Sequence, residues 1–223
     1  MAEFKIVVSD PATKDEQVYE VLLKGIDEID YTSEEKGKTK LPIAKINPEL
    51  AKKLKLDPKI NVITARIWKD KASREKINLT FKVELDRNVP ENEVHCSANL
   101  MFEKVGDAEA KAEVFKAKAW QITVKGDKAS RLIGLKIGDT FEGSIVGLPG
   151  VILKITGGTD NSGFPMRPDI PGPAKRRVLL SGPPGFHPRE KGERRRKTVR
   201  GNMISDEIVQ INTVIVYGPE ESK

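Results

Sequence analysis

The chain has 223 residues, with 39 Lys and Arg against 33 Asp and Glu and a formal net charge of +6. A chain of this length buries about 70% of the surface that its unfolded form exposes, so it needs neither a metal nor a disulfide to fold. Its single cysteine, Cys96, excludes an internal disulfide framework. No apolar run approaches the ~20 residues of a membrane span. The opening "MAEFKIVVSDP" has no basic stretch followed by an apolar one, so we expect no signal peptide and a cytoplasmic protein.

The positive charge is concentrated in one part of the chain. Residues 151–201 hold 12 Lys and Arg against 4 Asp and Glu, a net of +8. Subtraction from the totals leaves 27 basic and 29 acidic residues elsewhere, a net of −2. Such a concentration predicts a polyanionic partner rather than a uniformly solvated surface.

Short runs rich in Val, Ile and Thr, separated by turn residues, predict strands of about five to seven residues. In chain order they are "FKIVVSD", "QVYEVLLKG", "INVITARIW", "INLTFKVEL", "QITVKGD", "VILKITGG", "RRVLLSG" and "IVQINTVIVYG". Two short helices are predicted, one at "NPELAKKLKL" with Asn47 as N-cap and Pro48 in its first turn, and one at "DKASRLIGLKIGD", broken at Gly134. We therefore predict a mostly β protein made of small barrels with a few short helices.

Three stretches of the chain look alike. Residues 49–63, 99–114 and 129–143 each pass from a short amphipathic helix through a turn into a strand. Chance or an ancient duplication would explain the similarity. A duplication would imply two barrel-like units rather than one.

The segment 156–186 contains six Gly and six Pro among 31 residues. Pro removes backbone donors and Gly favours turns, so regular structure is expected only at the short strand "RRVLLS". A flexible linker is one interpretation, but the segment also carries the apolar residues Phe164, Met166, Ile170 and Phe186. These favour ordered irregular loops that lie against a partner.

No catalytic or cofactor-binding motif is found. Gly158 and Gly163 have the spacing of a phosphate loop, but Phe164 and Pro165 follow where Lys and Ser or Thr are needed. Zinc would need about four Cys or His ligands, and the chain has one Cys and two His. We therefore predict no cofactor, no metal site and no enzymatic activity.

The most basic stretch, "HPREKGERRRKTVR" at residues 187–200, has seven basic and two acidic residues. Its only aliphatic residue, Val199, disfavours a membrane-bound amphipathic helix, and a nuclear-localisation patch stays formally possible. A strand follows the stretch directly, so we interpret it as a basic loop fixed at both ends. Further cations come from Arg167 and from Lys175–Arg177. Arginines on Gly- and Pro-rich loops suit the phosphates of folded RNA, and nothing resembles a DNA-reading helix.

The run "LPGVILKITGGTDNSGFPMRPDI…RRVLLSGPPGFHPREKGERRRKTVRGNMISDEIVQINTVIVYG" resembles the ribosomal protein S6e family of archaea and eukaryotes. The similarity extends back through "ITVKGDKASRLIGLKIGDTFEG" and to the opening "FKIVVSDP". It implies a structural protein with a β-barrel body, bound to small-subunit ribosomal RNA beside neighbouring small-subunit ribosomal proteins, without catalytic activity. Membrane and DNA partners are not expected.

The resemblance also implies two RNA-facing loops, within residues 156–201. The first would be shaped by a turn at Gly157–Gly158 together with Asn161, Gly163, Phe164, Pro165, Met166 and Arg167. The second would be formed by Gly192, Arg194–Lys197, Thr198, Arg200 and Gly201. The candidate RNA-binding residues are Lys154, Gly157, Gly158, Asn161, Arg167, Lys175, Arg176, Arg177, Arg189, Lys191, Arg194, Arg195, Arg196, Lys197 and Arg200.

The chain departs from the short archaeal form by an insertion at residues 17–116, as in the longer crenarchaeal members. We expect residues 1–16 and 117–223 to form the ribosomal core and 17–116 to form an inserted barrel-like domain. The insertion has almost no net charge, so a protein-binding or solvent-facing surface is expected there rather than a second RNA contact. Two alternatives to a ribosomal protein stay open: a factor that visits the ribosome, and an RNA-modifying enzyme.

Overall fold

A computed structural model describes residues 2–13, 17–70 and 74–218. Far more of the described residues lie in strands than in helices, and the helices are short. The strands are β1 (Glu3–Ser9), β2 (Tyr19–Ile26), β3 (Ile43–Ile46), β4 (Val62–Asp70), β5 (Glu75–Leu85), β6 (Glu93–Ser97), β7 (Glu109–Lys116), β8 (Ala119–Lys125), β9 (Thr140–Glu142), β10 (Ile152–Asp160), β11 (Lys175–Leu180), β12 (Arg195–Arg200) and β13 (Ile208–Val216). The helices are α1 (Ser33–Lys36), α2 (Pro48–Lys53), α3 (Ala98–Lys104) and α4 (Asp127–Ser130), with a 3-10 turn at Gly143–Val146.

The chain divides into two compact units. One contains Met1–Ser9 and Gln121–Lys223, and the other contains Asp10–Trp120. The domain boundaries expected from the sequence, with an inserted domain at residues 17–116, remain a prediction. Below, Asp10–Trp120 is called the inserted unit and the remainder the body.

The inserted unit is a closed six-stranded barrel with the order β2-β6-β3-β5-β4-β7. Alternate residues of each strand point inwards, which is the period that a strand imposes on its side chains. On β4 these are Ile63, Ala65 and Ile67, and on β2 they are Val21 and Leu23. Because the barrel is closed, these strands present no free edge to other chains.

The barrel has an internal two-fold symmetry in its pairing. Exchanging β2 with β5, β3 with β6 and β4 with β7 preserves every strand pair and its direction, including the parallel pairs β2·β6 and β3·β5. The pair of Lys45 with His95, whose numbers differ by 50, maps onto itself. The similar stretches 49–63 and 99–114 thus occupy equivalent places within one barrel, whereas 129–143 lies in the body.

The two symmetry-related helices begin at residues that also differ by 50. Asn47 caps α2 as predicted, because its side chain accepts a hydrogen bond from the Glu49 amide at 2.9 Å. Ser97 caps α3 without such a bond, and its buried Oγ has no hydrogen-bond partner among the described residues. Leu50 and Leu100 each anchor their helix in the barrel core.

The body contains a five-stranded sheet with the order β8-β1-β13-β10-β9. In chain order, β1 is the first strand of this sheet and β13 is the last, and the two pair in parallel. On its other side, β13 pairs with β10 in the antiparallel direction. Phe4, Ile6 and Val8 of β1 are buried beside Ile211 and Ile215 of β13. This sheet therefore cannot assemble until both ends of the chain are brought together.

The mostly β class, with a closed barrel and few short helices, is confirmed. The eight strand segments predicted from composition correspond to β1, β2, β4, β5, β8, β10, β11 and β13. Five strands were not among these segments. β7 and β9 were expected only as the strands that end the similar stretches 99–114 and 129–143, and β3, β6 and β12 were not predicted at all. The reasons differ among these three. The first two have only four or five residues, and β12 consists mainly of cations. In the body, the strands pair as a sheet whose edges are β8 and β9.

Candidate nucleic-acid interface

Two antiparallel strands, β11 and β12, form a separate two-stranded sheet, here called the basic ribbon. The pairing runs from Lys175 opposite Arg200 to Leu180 opposite Arg195, with no shift of register. Opposite residues share a face and successive residues alternate, so the register fixes the face of every side chain. The expectation that Arg195–Lys197 of the chain's basic run lie in a loop is wrong, because these positions belong to a strand.

The strand forms despite its charge because one face of the ribbon covers a small apolar core. Val199, Leu180, Ile170 and Phe186 are buried together, with Val178 packed against them. Val199 is fully buried and contributes the only aliphatic side chain of β12. A single aliphatic residue gives no visible alternation, so the sequence alone could not indicate the strand.

Most cations of this region are exposed and lack an acidic partner. None of the following side chains makes an ion pair or a side-chain hydrogen bond with any residue in the described ranges. They are Arg176, Arg177, Arg189, Lys191, Arg194, Arg196 and Lys197, and together they are called the exposed cations. Arg195 is also exposed, but its Nε lies 2.7 Å from Oε1 of Glu193. The side chains of the exposed cations are therefore available to a polyanion.

Asp160 holds the base of the ribbon. Its carboxylate is buried and accepts hydrogen bonds from the amides of Ser162 at 2.9 Å and Phe164 at 2.8 Å. The other carboxylate oxygen lies 3.1 Å from Arg200 Nε and 3.3 Å from Lys175 Nζ. Burial alone would raise the pKa of Asp160, but the hydrogen bonds from Phe164, Arg200 and Ser162 hold that pKa below its usual value.

Arg200 and Lys175 therefore differ from the exposed cations. Arg200 is only 4% exposed, and its guanidinium donates from Nη1 to the Pro173 carbonyl at 2.6 Å and pairs through Nη2 with the exposed carboxylate of Glu207. Arg200 thus connects β12 to the turn after β10. Its guanidinium acts as a structural brace and is not accessible to RNA. Lys175 also donates to Ser162 Oγ and lies 5.6 Å from the ring centre of a neighbouring Phe, so its ammonium is already occupied.

Arg167 is a second brace. Its Nε and Nη2 donate to the two carboxylate oxygens of Asp169 at 2.8 and 3.1 Å, and its Nη1 donates to the Pro184 carbonyl at 3.0 Å. This paired geometry is the one a guanidinium would offer to a phosphate, but here a carboxylate of the same loop takes it. Arg167 ties the loop after β10 to the segment that covers the ribbon.

The predicted turn at Gly157–Gly158 is wrong, because both glycines lie within β10. The pairing with β13 shifts register between Ile155 and Gly157, so the first glycine lies at a bulge of the strand rather than in a turn. A Cβ on Gly158 would lie 2.5 Å from the Gln210 carbonyl oxygen and 2.8 Å from Met166 Sδ. Close packing inside the sheet therefore requires the second glycine.

The remaining candidates lie in different places. Asn161 is exposed in the turn after β10, and this turn adjoins the ribbon because Ser162 contacts Lys175. Lys154 is exposed on β10, where it pairs with Val214 and Thr140 rather than with the strands of the ribbon.

Sequence reasoning missed two residues that shape this region. Asp160 was not singled out, although the sequence "DNSG" is typical of a turn in which an Asp side chain binds the amide two residues later. His187 lines a cavity of about 240 Å³ with Phe186, Arg189, Arg195 and Lys197, together with Gly185 and Glu193. All of its lining residues lie within the stretch 185–197, but no motif in that stretch indicates that they enclose a cavity.

The described ranges contain no group of three or more His, Cys, Asp or Glu side chains placed to hold a metal ion. Burial raises the pKa of Cys96 to about 12. Since the thiolate is the reactive form, this thiol is a poor nucleophile. Among the helices of those ranges, none is both long and apolar enough to cross a membrane.

Comparisons with known proteins identify the family. The family model described as Ribosomal protein S6e matches residues 112–222. The small ribosomal subunit protein eS6 of Hyperthermus butylicus is 60% identical over 222 residues, which cover 99% of this chain and all of that protein. The proteins of the same name from Staphylothermus marinus and Aeropyrum pernix are 54% and 42% identical, each over 97% of this chain, and the alignments cover 100% and 96% of those proteins. The chain therefore belongs to the ribosomal protein S6e family.

Proposed function

We propose that this protein is a structural constituent of the small subunit of the cytoplasmic ribosome. It binds small-subunit ribosomal RNA through the basic ribbon and the loop that joins its strands, and it catalyses no reaction. The observation that carries the proposal is the set of exposed cations without carboxylate partners in the described residues. Like charges so close together repel each other, and a polyanion removes that cost.

The chemistry of the exposed cations favours a phosphate backbone. Five of the seven are arginines, whose planar guanidinium makes paired hydrogen bonds with phosphate oxygens and is weakly hydrated. Release of counterions from the backbone would supply much of the binding free energy. These contacts would recognise the shape and backbone of folded RNA rather than its sequence.

The names of the relatives support the assignment to the small subunit. They are small ribosomal subunit proteins whose lengths this chain matches almost completely, inserted unit included. The inserted unit of Asp10–Trp120 holds 21 basic and 21 acidic residues. We therefore assign RNA binding to the body, and contact with neighbouring small-subunit proteins to the inserted unit.

The first test is where the native protein sediments in a density gradient of cell lysate, before and after a high-salt wash. Retention with the small subunit through the wash is expected for an integral ribosomal protein. Release by the wash would instead support a factor that visits the ribosome. Sedimentation only at the top of the gradient in both conditions would contradict the ribosomal function.

A second test measures the salt dependence of binding to small-subunit RNA. Replacing Arg194 and Arg196 by Ala should flatten the slope of log K against log salt, because each lost phosphate contact contributes about 0.7–0.9. A matched control replaces Lys82 and Arg87, two exposed cations of the inserted unit, by Ala. If the control changes the slope as much as the ribbon variant does, the ribbon is not the RNA-binding surface.

A further inference from the structure

The basic ribbon carries exposed Lys and Arg side chains on both of its faces, namely members of the exposed cations and Arg195. Residues opposite each other across the ribbon share a face, so the register divides them without ambiguity. Face one carries Arg176, Lys197 and Arg195, and face two carries Arg177 and Arg196. A ribbon that bound a single phosphate backbone would need cations on one face only.

Face one of the ribbon carries both buried apolar residues and exposed cations. Its apolar residues are covered by the segment around Phe186, but its cations stay exposed at the border of that cover. Arg195 and Lys197 open onto the cavity of about 240 Å³, which Arg189 also lines. Glu193 fixes this arrangement, because its carboxylate accepts from the Arg189 amide at 2.7 Å and contacts Arg195.

Face two combines charge with an exposed apolar side chain. Leu179 is 57% exposed and lies directly opposite Arg196, two residues from Arg177 on the same face. Lys175 shares this face but is held by Asp160. An exposed leucine between two arginines suits the sugar and base surface of a shallow groove, whose phosphates the arginines can reach.

One RNA helix cannot serve both faces at once. A two-stranded ribbon fits the major groove of B-form DNA, which is about 12 Å wide. The major groove of an A-form RNA helix is deep and too narrow for side chains to read. On RNA, the two faces must therefore meet two different segments.

From this register we infer that the basic ribbon is a bridge between two segments of RNA, with one phosphate backbone on each face. The inference rests on the proposed function and adds an arrangement to it. The ribbon would fix the separation of the two segments, because both sets of cations extend from one short, hydrogen-bonded pair of strands. Face one would hold a backbone at the cavity beside Arg195, and face two would hold the other across Leu179.

The test uses the full-length protein and two copies of one short RNA duplex, the first immobilised and the second fluorescent. Bridging retains the fluorescent duplex only when protein is present. Analytical ultracentrifugation of the free mixture should give two duplexes per protein chain, which separates bridging from dimerisation of the protein. The same experiment with a DNA duplex of equal length tests whether both faces enter one major groove.

Two matched variants then separate the faces. Arg176→Gln with Lys197→Gln neutralises face one, and Arg177→Gln with Arg196→Gln neutralises face two. Each removes two exposed cations at neighbouring positions of the same strands. We expect each variant to bind one duplex per chain and to lose capture of the second, while its melting temperature stays that of the unchanged protein.

Other outcomes would overturn the inference in distinguishable ways. If the unchanged protein binds a single RNA duplex and both variants weaken that binding equally, the ribbon lies on one segment and does not bridge. Tighter one-to-one binding of the DNA duplex, lost in both variants, would assign the ribbon to a DNA groove. If the unchanged protein binds no RNA, including small-subunit RNA, the proposed function itself fails.

Discussion

At the scale of single residues, the candidate RNA-binding cations divide into two chemical groups. Arg167 and Arg200 are held by carboxylates and carbonyls of the protein itself, whereas the exposed cations have no such partners in the described residues. A guanidinium that already makes paired bonds gains little from a phosphate. We therefore propose that the braces position the ribbon and that the exposed cations bind RNA.

The brace at Asp160 gives a stability prediction. Asp160→Asn should lower the free energy of unfolding of the body by roughly 3 kcal/mol, because it leaves the buried Arg200 guanidinium with only the exposed carboxylate of Glu207 as counter-charge. Asp169→Asn is the matched control, since that carboxylate is 58% exposed and its ion pair should contribute less than ~1 kcal/mol. Calorimetric unfolding of both variants checks this, and equal losses would contradict the brace.

The same carboxylate predicts a pH dependence. The folded pKa of Asp160 lies below its unfolded value of 3.8, so its contribution to stability is fully present above that value. The contribution is lost as the pH falls towards the folded pKa. The melting temperatures of the unchanged protein and of Asp160→Asn should therefore differ at pH 6 and approach each other as the pH is lowered to ~2.5. A stability gap that stays constant with pH would show that Asp160 does not act through its charge.

Two adjacent glycines provide a second comparison at this scale. Gly158→Ala should destabilise the body by about 1–3 kcal/mol, since the new methyl would overlap the Gln210 carbonyl. Gly157→Ala should be tolerated, because no heavy atom lies within 4 Å of its Cβ position. Urea unfolding followed by circular dichroism compares the two. Equal effects would mean that the bulge, rather than close packing, decides the need for glycine.

At the scale of elements, the symmetry of the barrel gives equivalent positions different energetic roles. Asn47→Ala should cost about 1 kcal/mol, because it removes the cap of α2 and a 2.7 Å bond to the Val89 carbonyl. Ser97→Ala should cost little or stabilise, since it removes a buried hydroxyl that has no partner among the described residues. Chemical denaturation of the two variants tests the contrast, which a larger loss at Ser97 would contradict.

The ribbon shows how an element can form against its own charge. Its strands gain their ladder of hydrogen bonds and the burial of Val199, Leu180 and Phe186, while the exposed cations lie on both faces. Repulsion among those cations is weakened by water and salt in the free protein. In the RNA complex proposed above, phosphates would neutralise the exposed cations and stabilise the element further.

At the scale of the whole molecule, the two units differ in charge. The body holds 18 basic and 12 acidic residues, obtained by subtracting the 21 of each sign in the inserted unit from the totals of 39 and 33. All of the net charge of +6 therefore lies in the body. A polyanion therefore attracts the body at long range, whereas the inserted unit has no net charge and experiences no net long-range attraction.

Residues 10–120, produced alone, should fold cooperatively, because the barrel is closed and has its own core. We expect this fragment to bind small-subunit RNA weakly and with little dependence on salt. Circular dichroism melting and a filter-binding salt titration, run beside the full-length protein, measure both properties. An RNA affinity and salt slope equal to those of the full chain would assign the RNA-binding surface to the inserted unit instead.

The strands with ordinary apolar patterns, the cap at Asn47, the basic region and the family could all be predicted from the sequence, because each depends on residues that are neighbours in the chain. The tertiary structure alone decided which cations are exposed. Arg196 and Arg200 belong to the same basic stretch, but only the fold places Asp160 against one of them and leaves the other in solvent. The faces of the ribbon were likewise hidden, since they depend on the register between β11 and β12, and register is set by contacts between distant segments.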